Sequence, residues 1–265
     1  MDLVTLTDHD TIEGAIELAS LPGTFMSEEV TVELPGRRVL HIGTLDITER
    51  QHERISVLRK DAEAFFAYVA EERIPAVVNH LFSALTGDRE TRDFAVALAS
   101  GIRLIEGRNG MMNERTNQFA MRAGAEADLS PIGGSDAHTL ASVASAYTEV
   151  PGARDKEEFL AGLRQGRVLP AGGQGSYAKL TRDVALVFAG AYKEGVRSFP
   201  RGRDALLRFG ALVLVLPLLP LIPVFTAFIY GHERIFAEHH HHHFQELVGG
   251  VGRRPSSWAN SPVQP

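Results

Sequence analysis

The stretch Leu3-Val4-Thr5-Leu6-Thr7-Asp8-His9-Asp10 runs from apolar and β-branched residues into an acid, an imidazole and a second acid. The pattern predicts a buried strand, with Leu3, Val4 and Leu6 in a sheet core and Asp8, His9 and Asp10 where the strand opens into a loop. In α/β folds such strand ends carry the chemistry. A helix is expected next, capped by Asp10 or Thr11, with Glu13 in its first turn and Ala15, Ile16, Leu18 and Ala19 as its apolar face. Taken alone, an Asp-His-Asp at a strand end is more often polar surface or a helix cap than a metal site. The rest of the chain alters that balance.

Residues 24–34 and 37–43 alternate around the turn signal Pro35-Gly36, which predicts a hairpin. Within it Val30 and Val32 face one way, Glu29 and Thr31 the other, and Glu28 and His41 lie nearby. Apolar residues at Ile55, Leu58, Ala62, Phe65, Phe66 and Val69 predict one helix over 51–72. A short apolar strand, 75–78, then ends in Asn79-His80, repeating the pattern of the opening stretch. Next come a helix over 91–100, a strand over 103–106 running into Gly107-Arg108-Asn109-Gly110, and a helix over 114–126. The strand 130–134 leads into Gly133-Gly134-Ser135-Asp136-Ala137-His138. Two glycines permit a tight turn, and Asp136 and His138, two apart in an extended loop, point to one side. A strand at 147–150, a helix at 156–165 and a strand at 167–169 follow. This alternation predicts a mostly parallel sheet, open or closed into a barrel.

The chain has 265 residues, a formal charge of −6 and no cysteine. That length suits one α/β body with an appendage. The charge balance gives no basic field, so strong nucleic-acid binding is not expected. Without thiols, any metal must be held by His, Asp and Glu. Asp8, His9, Glu29, His41, His80, Asp136 and His138 all fall at or near predicted strand ends, which share one face if the sheet is parallel. Such a nitrogen and oxygen donor set suits Zn, Mn or Fe, and paired ions of this kind clamp phosphoryl groups and activate water.

The order TDHD, SEEVT, VLHIG, NHLF, IEGRNG and GGSDAH resembles the motif sequence of the polymerase and histidinol phosphatase (PHP) family, over residues 1–175. The resemblance implies an α/β fold of the distorted (β/α)7 PHP type and a metal-dependent phosphoesterase. Its substrate would be a small phosphorylated metabolite or nucleotide, attacked by metal-activated hydroxide. It also implies His9, Glu29, His41, His80, Asp136 and His138 as ligands of two or three divalent ions (Mn, Zn or Fe), with Glu29 bridging. Asp8, His9, Asp136 and His138 are the expected catalytic residues, Asp8 orienting a ligand rather than binding metal. Arg108 is a candidate phosphate contact, although a solvated arginine is the commoner reading. Two departures stand out: Leu81 replaces the proline that usually follows His80, and the family's opening His-x-His strand is absent. The expectation is therefore an N-terminally truncated barrel lacking its first strand, with impaired activity and at least one ion weakly held. The alternative is a non-catalytic, membrane-attached PHP-like binding or regulatory protein.

Beyond residue 175 the reading is an amphipathic helix and linker at 176–203, a membrane-spanning segment within 204–230, and a histidine run with a disordered tail at 231–265. As a helix, residues 209–230 would extend about 33 Å, enough to cross a bilayer core of roughly 30 Å. Arg197, Arg201, Arg203 and Arg208 precede it, so the positive-inside rule predicts a cytoplasmic catalytic domain attached to the membrane. Prolines 217, 220 and 223 leave a re-entrant or buried segment open as alternatives. His239 to His243 read as a low-complexity tract rather than part of the site.

Overall fold

Gly36 and Arg37 take left-handed backbone angles (φ 85° and 62°) and fold the chain back just after Pro35, so the predicted hairpin forms. Its strands are β1, Ser27–Leu34, and β2, Arg38–Leu45, in register from Ser27↔Leu45 to Leu34↔Arg38. The computed structural model describes residues 2–87, 89–197 and 216–251, with positions 210 and 213. A short helix α1, Glu13–Leu18, precedes the hairpin.

After β2 the single long helix expected over 51–72 is two helices, α2 (Glu49–Leu58) and α3 (Ala62–Glu71). The break is chemical. Asp61 takes extended angles and its carboxylate accepts the Ala64 N–H, capping α3, while Thr48 and Gln51 form a capping box on α2. The break also sets strand polarity. One helix would return the chain to the end where β2 began; two carry it back to the end where β2 finished. The next strand, β3 (Ala76–Val78), accordingly runs antiparallel to β2. From there single helices intervene: α4 (Thr91–Ala99) before β4 (Leu104–Asn109), and α5 (Glu114–Glu126) before β5 (Ser130–Gly134). Both pairings, β3–β4 and β4–β5, are parallel, each joined by a helical crossover.

The result is a mixed α/β fold with a five-stranded sheet in the order β1-β2-β3-β4-β5, not the mostly parallel sheet expected. A separate antiparallel pair follows, β6 (Ala146–Glu149) and β7 (Leu169–Gly172), with α6 (Lys156–Arg164) between them. Among the described residues no strand pairing joins β1 to β6 or β7, so these ladders do not close a barrel.

The opening stretch is not a buried strand. It touches the hairpin side through two isolated parallel bridges, Val4↔Thr24 and His9↔Glu29. Leu6 is exposed, and Leu3 and Val4 are only partly buried. Single bridges leave the backbone outside a continuous ladder, and Asp10 turns left-handed (φ 57°) directly after His9. Neither Asp10 nor Thr11 is the N-cap of α1. Ile12 occupies that position, the Thr11 hydroxyl accepts the Glu13 N–H, and the Asp10 carboxylate accepts the Thr31 N–H.

Helix α7, Tyr177–Arg197, matches the amphipathic reading. The membrane-spanning expectation does not hold where it can be followed: among the described residues no helix is long and apolar enough to cross a membrane. Residues 204–209, 211–212 and 214–215 of the expected span lie outside the described residues. Its later part is a 3-10 helix, Leu216–Leu221, followed by α8, Ile222–Val251. Proline fixes φ and has no N–H, so Pro217, Pro220 and Pro223 prevent one continuous α-helix. Helix α8 then packs on the body, burying Thr226, Glu233, Ala237, His240, His241 and Phe244. Phe244 and Ala237 join the main core with Phe65, Phe82, Phe94 and Ile105. The histidine run thus lies in a helix; residues 252–265 of the expected disordered tail lie outside the described residues.

Candidate metal centre

Alternation along β1 separates its two glutamates. Val30 and Val32 are fully buried in the core. Glu28 shares their side, where its carboxylate meets His52 Nδ1 at 2.8 Å. Glu29 faces the other way. On β2, His41 pairs with Thr31, which lies two residues from Glu29 and so on the same face. Gly43 stands opposite Glu29, and a Cβ there would lie 3.2 Å from Asn79 Oδ1. That open space admits Asn79, whose side-chain amide donates to Glu29 Oε1 at 3.1 Å while its N–H bonds His41 O.

Three imidazoles converge on Glu29. His9 Nε2 lies 3.4 Å from Oε2, His41 Nδ1 3.4 Å from Oε1, and His80 Nε2 2.8 Å from Oε1. The rings stand edge-on to one another, His9–His41 at 4.8 Å and His41–His80 at 5.0 Å between centroids. His9, Glu29 and His41 each offer a ligand atom within 4.8 Å of the others. Burial alone would raise the Glu29 acid, but hydrogen bonding from His41 and His80 outweighs it and holds the carboxyl far below its usual range. Burial likewise disfavours a charged His80, yet Glu29 lifts that imidazole to about 9. His41, which burial dominates, is pushed down.

Two residues that join His80 to Asp136, Glu106 and Asn109, were not expected from the sequence. Glu106, buried on β4, accepts the His80 backbone N–H at 3.0 Å, and burial, with Asp136 adding to it, lifts its acid to about 7. Asn109 Nδ2 donates to Glu106 Oε2 at 2.9 Å and to Asp136 Oδ2 at 3.1 Å, so one amide joins two carboxylates. His80 and Asp136 both hold left-handed angles, φ 25° and 46°, uncommon for side chains with a Cβ. The glycines before Asp136 do not make a left-handed turn. They admit close neighbours: a Cβ on Gly133 would collide with the Tyr147 carbonyl, and one on Gly134 would lie 2.7 Å from Glu106 Oε1. The signal was present in IEGRNG beside GGSDAH: Gly134 stands opposite Asn109 and leaves room for the carboxylate of Glu106, which is paired with Ile132.

The remaining candidates lie apart. The Asp8 carboxylate sits against α1, 2.7 Å from where a Gly14 Cβ would be, while the Asp8 carbonyl accepts the Glu29 N–H. His138 is exposed; its Nδ1 faces the Asp136 carbonyl at 3.0 Å, and because a carbonyl only accepts, Nδ1 carries the proton and Nε2 is the free nitrogen. Arg108 donates to Gly172 O at 3.1 Å, and its buried Nε has no hydrogen-bond partner.

A cation fits this donor set. His9, Glu29 and His41 bring one donor atom each within 4.8 Å of the others, the buried Nδ1 of His41 has only its long 3.4 Å contact to Glu29, and imidazole with carboxylate suits Zn, Mn or Fe. Residues 114–168, which include Asp136 and His138, match the model of a family described as PHP-associated. No curated protein matches the chain.

Proposed function

We propose, from the match of residues 114–168 to a PHP-associated family model, that the chain is a PHP-type metal-dependent phosphoesterase acting on a small phosphorylated metabolite or nucleotide. The observation that carries the reading is the convergence of His9, His41 and His80 on the buried carboxylate of Glu29. His9, Glu29, His41 and His80 would hold the cation, with Asp136 at the far side of the Asn109 bridge. A divalent cation there supplies charge stabilisation for a phosphoryl group and lowers the pKa of a water bound to it. The chain's own residues supply placement. Asn79 and the three imidazoles fix the Glu29 carboxylate, and Glu106 fixes the backbone of His80. His138, exposed two residues beyond Asp136, presents its bare Nε2 to solvent and is the group we assign to take up a proton there and pass it to the departing oxygen.

The test is hydrolysis of an aryl phosphate by the full chain with Mn2+, Zn2+ or Fe2+ supplied. Replacing partners outside the ligand set typically costs roughly 10–100-fold, so Glu29→Gln with His41→Ala should lose more than that, together with bound metal. Activity undiminished in the double variant, or no turnover by the parent with any of the three metals, overturns the proposal.

A further inference from the structure

Helix α8 sorts the histidine run by face. His240 Nε2 accepts the Arg89 backbone N–H at 3.2 Å, and His241 stacks on Phe119 with centroids 4.2 Å apart, so these two face the body. His239 and His243, four residues apart and therefore on one stripe, lie toward solvent. Their Nε2 atoms are 3.2 Å apart and their ring centroids 4.5 Å. Two nitrogens held by one ion at about 2.0–2.1 Å with near-tetrahedral angles are separated by about 3.3 Å, so a pair that is hydrogen-bonded at 3.2 Å can take an ion between its nitrogens with almost no change of spacing.

The tautomer agrees. His243 Nδ1 lies 3.3 Å from Glu246 Oε2 and 3.4 Å from Thr91 Oγ1. A carboxylate only accepts, so Nδ1 carries the proton and the bare Nε2 of His243 accepts the Nε2–H of His239 in the metal-free helix; a cation takes the place of that bridging proton when His239 moves its own proton to Nδ1. A carboxylate that orients a ligating imidazole through its other nitrogen is the usual outer partner of a metal site. We propose that His239 and His243 chelate a borderline divalent cation, Zn2+, Ni2+ or Cu2+, at a second site separate from the Glu29 cluster, with Glu246 orienting His243. A bound ion ties one turn of α8 into helical form. That turn includes His240, so occupancy stiffens the part of α8 that holds Arg89.

The experiment uses the full chain, stripped of metal by a chelator and titrated calorimetrically with ZnCl2, alongside His239→Ala/His243→Ala and His242→Ala. The double variant should bind one equivalent fewer than the parent, and His242→Ala as many as the parent. In parallel, Zn2+ should slow amide hydrogen exchange over residues 239–247 several-fold in the parent and in His242→Ala but not in the double variant. His239→Ala alone, at an exposed position, serves if the double variant is misfolded. Equal stoichiometry in parent and double variant, equal loss in His242→Ala, or unchanged exchange in the parent overturns the proposal.

Discussion

Asn109 places one neutral amide between two carboxylates, Glu106 and Asp136, while its own Oδ1 accepts the N–H groups of Met111 and Met112. It is buried. Asn109→Asp keeps the shape and the Oδ1 acceptor but exchanges a double donor for a third carboxylate. Removing donors from buried charged acceptors and adding unpaired charge should destabilise the protein by about 2–4 kcal/mol, read as a lower urea midpoint; an unchanged midpoint would mean the amide does not bridge. At this scale the residues that gather on Glu29, namely His9, His41 and His80, were legible because strand ends punctuated by His, Asp and Glu recur along the chain. Asn109 and Glu106 were not, because their importance comes from cross-strand neighbours, Gly134 above all. The place of Asp8 was not legible for the converse reason: the strand expected to aim it does not form, and its side chain turns to α1.

Among the elements, α8 reaches furthest beyond its own surroundings. Glu233 accepts from Ser83 Oγ at 2.7 Å, Ala84 N at 3.1 Å and Leu85 N at 3.2 Å, so one buried carboxylate holds the loop that follows His80. Glu233→Ala orphans these donors at a cost of about 3 kcal/mol or more, and amide exchange at Ala84 and Leu85 should accelerate along with a fall in melting temperature. Unaltered exchange there would show that the loop keeps its form without α8. Glu233→Gln retains one acceptor oxygen and should fall between. Helices with clear periodicity, such as α5 and α6, were legible nearly to the residue. The α2–α3 break was not: apolar spacing continues across it, and only the capping of Asp61 marks it, which is why strand polarity was misjudged. The end of the apolar run, residues 222–230, is the first part of α8, which packs on α7 with Thr181 2.7 Å from Thr226; hydropathy does not distinguish such a helix from a lipid span.

Across the whole molecule, acid stability should depend on Asp183 of α7. Its buried carboxylate accepts from Ser142 and Arg182, tying α7 to the segment after His138. Burial would raise this acid, but those hydrogen bonds, with Arg182 and Lys179 charges beside it, depress it below its ordinary 3.8. A depressed carboxyl contributes stability that is present above its unfolded value and lost as pH falls through the folded one. Asp183→Asn should therefore melt lower than the parent at pH 7, and the gap should narrow below about pH 4; a gap independent of pH would contradict this. The α8 strap has a consequence for biosynthesis. Its bonds to the loop span 148 residues for Leu85–Glu233 and 151 for Arg89–His240. At about 5–20 residues per second, that much chain takes roughly 8–30 s to synthesise. Through that interval a nascent molecule carries Phe82, Phe94 and Phe119 without their α8 cover and the His80 loop without its acceptors, so this loop is the place where a chaperone would find it.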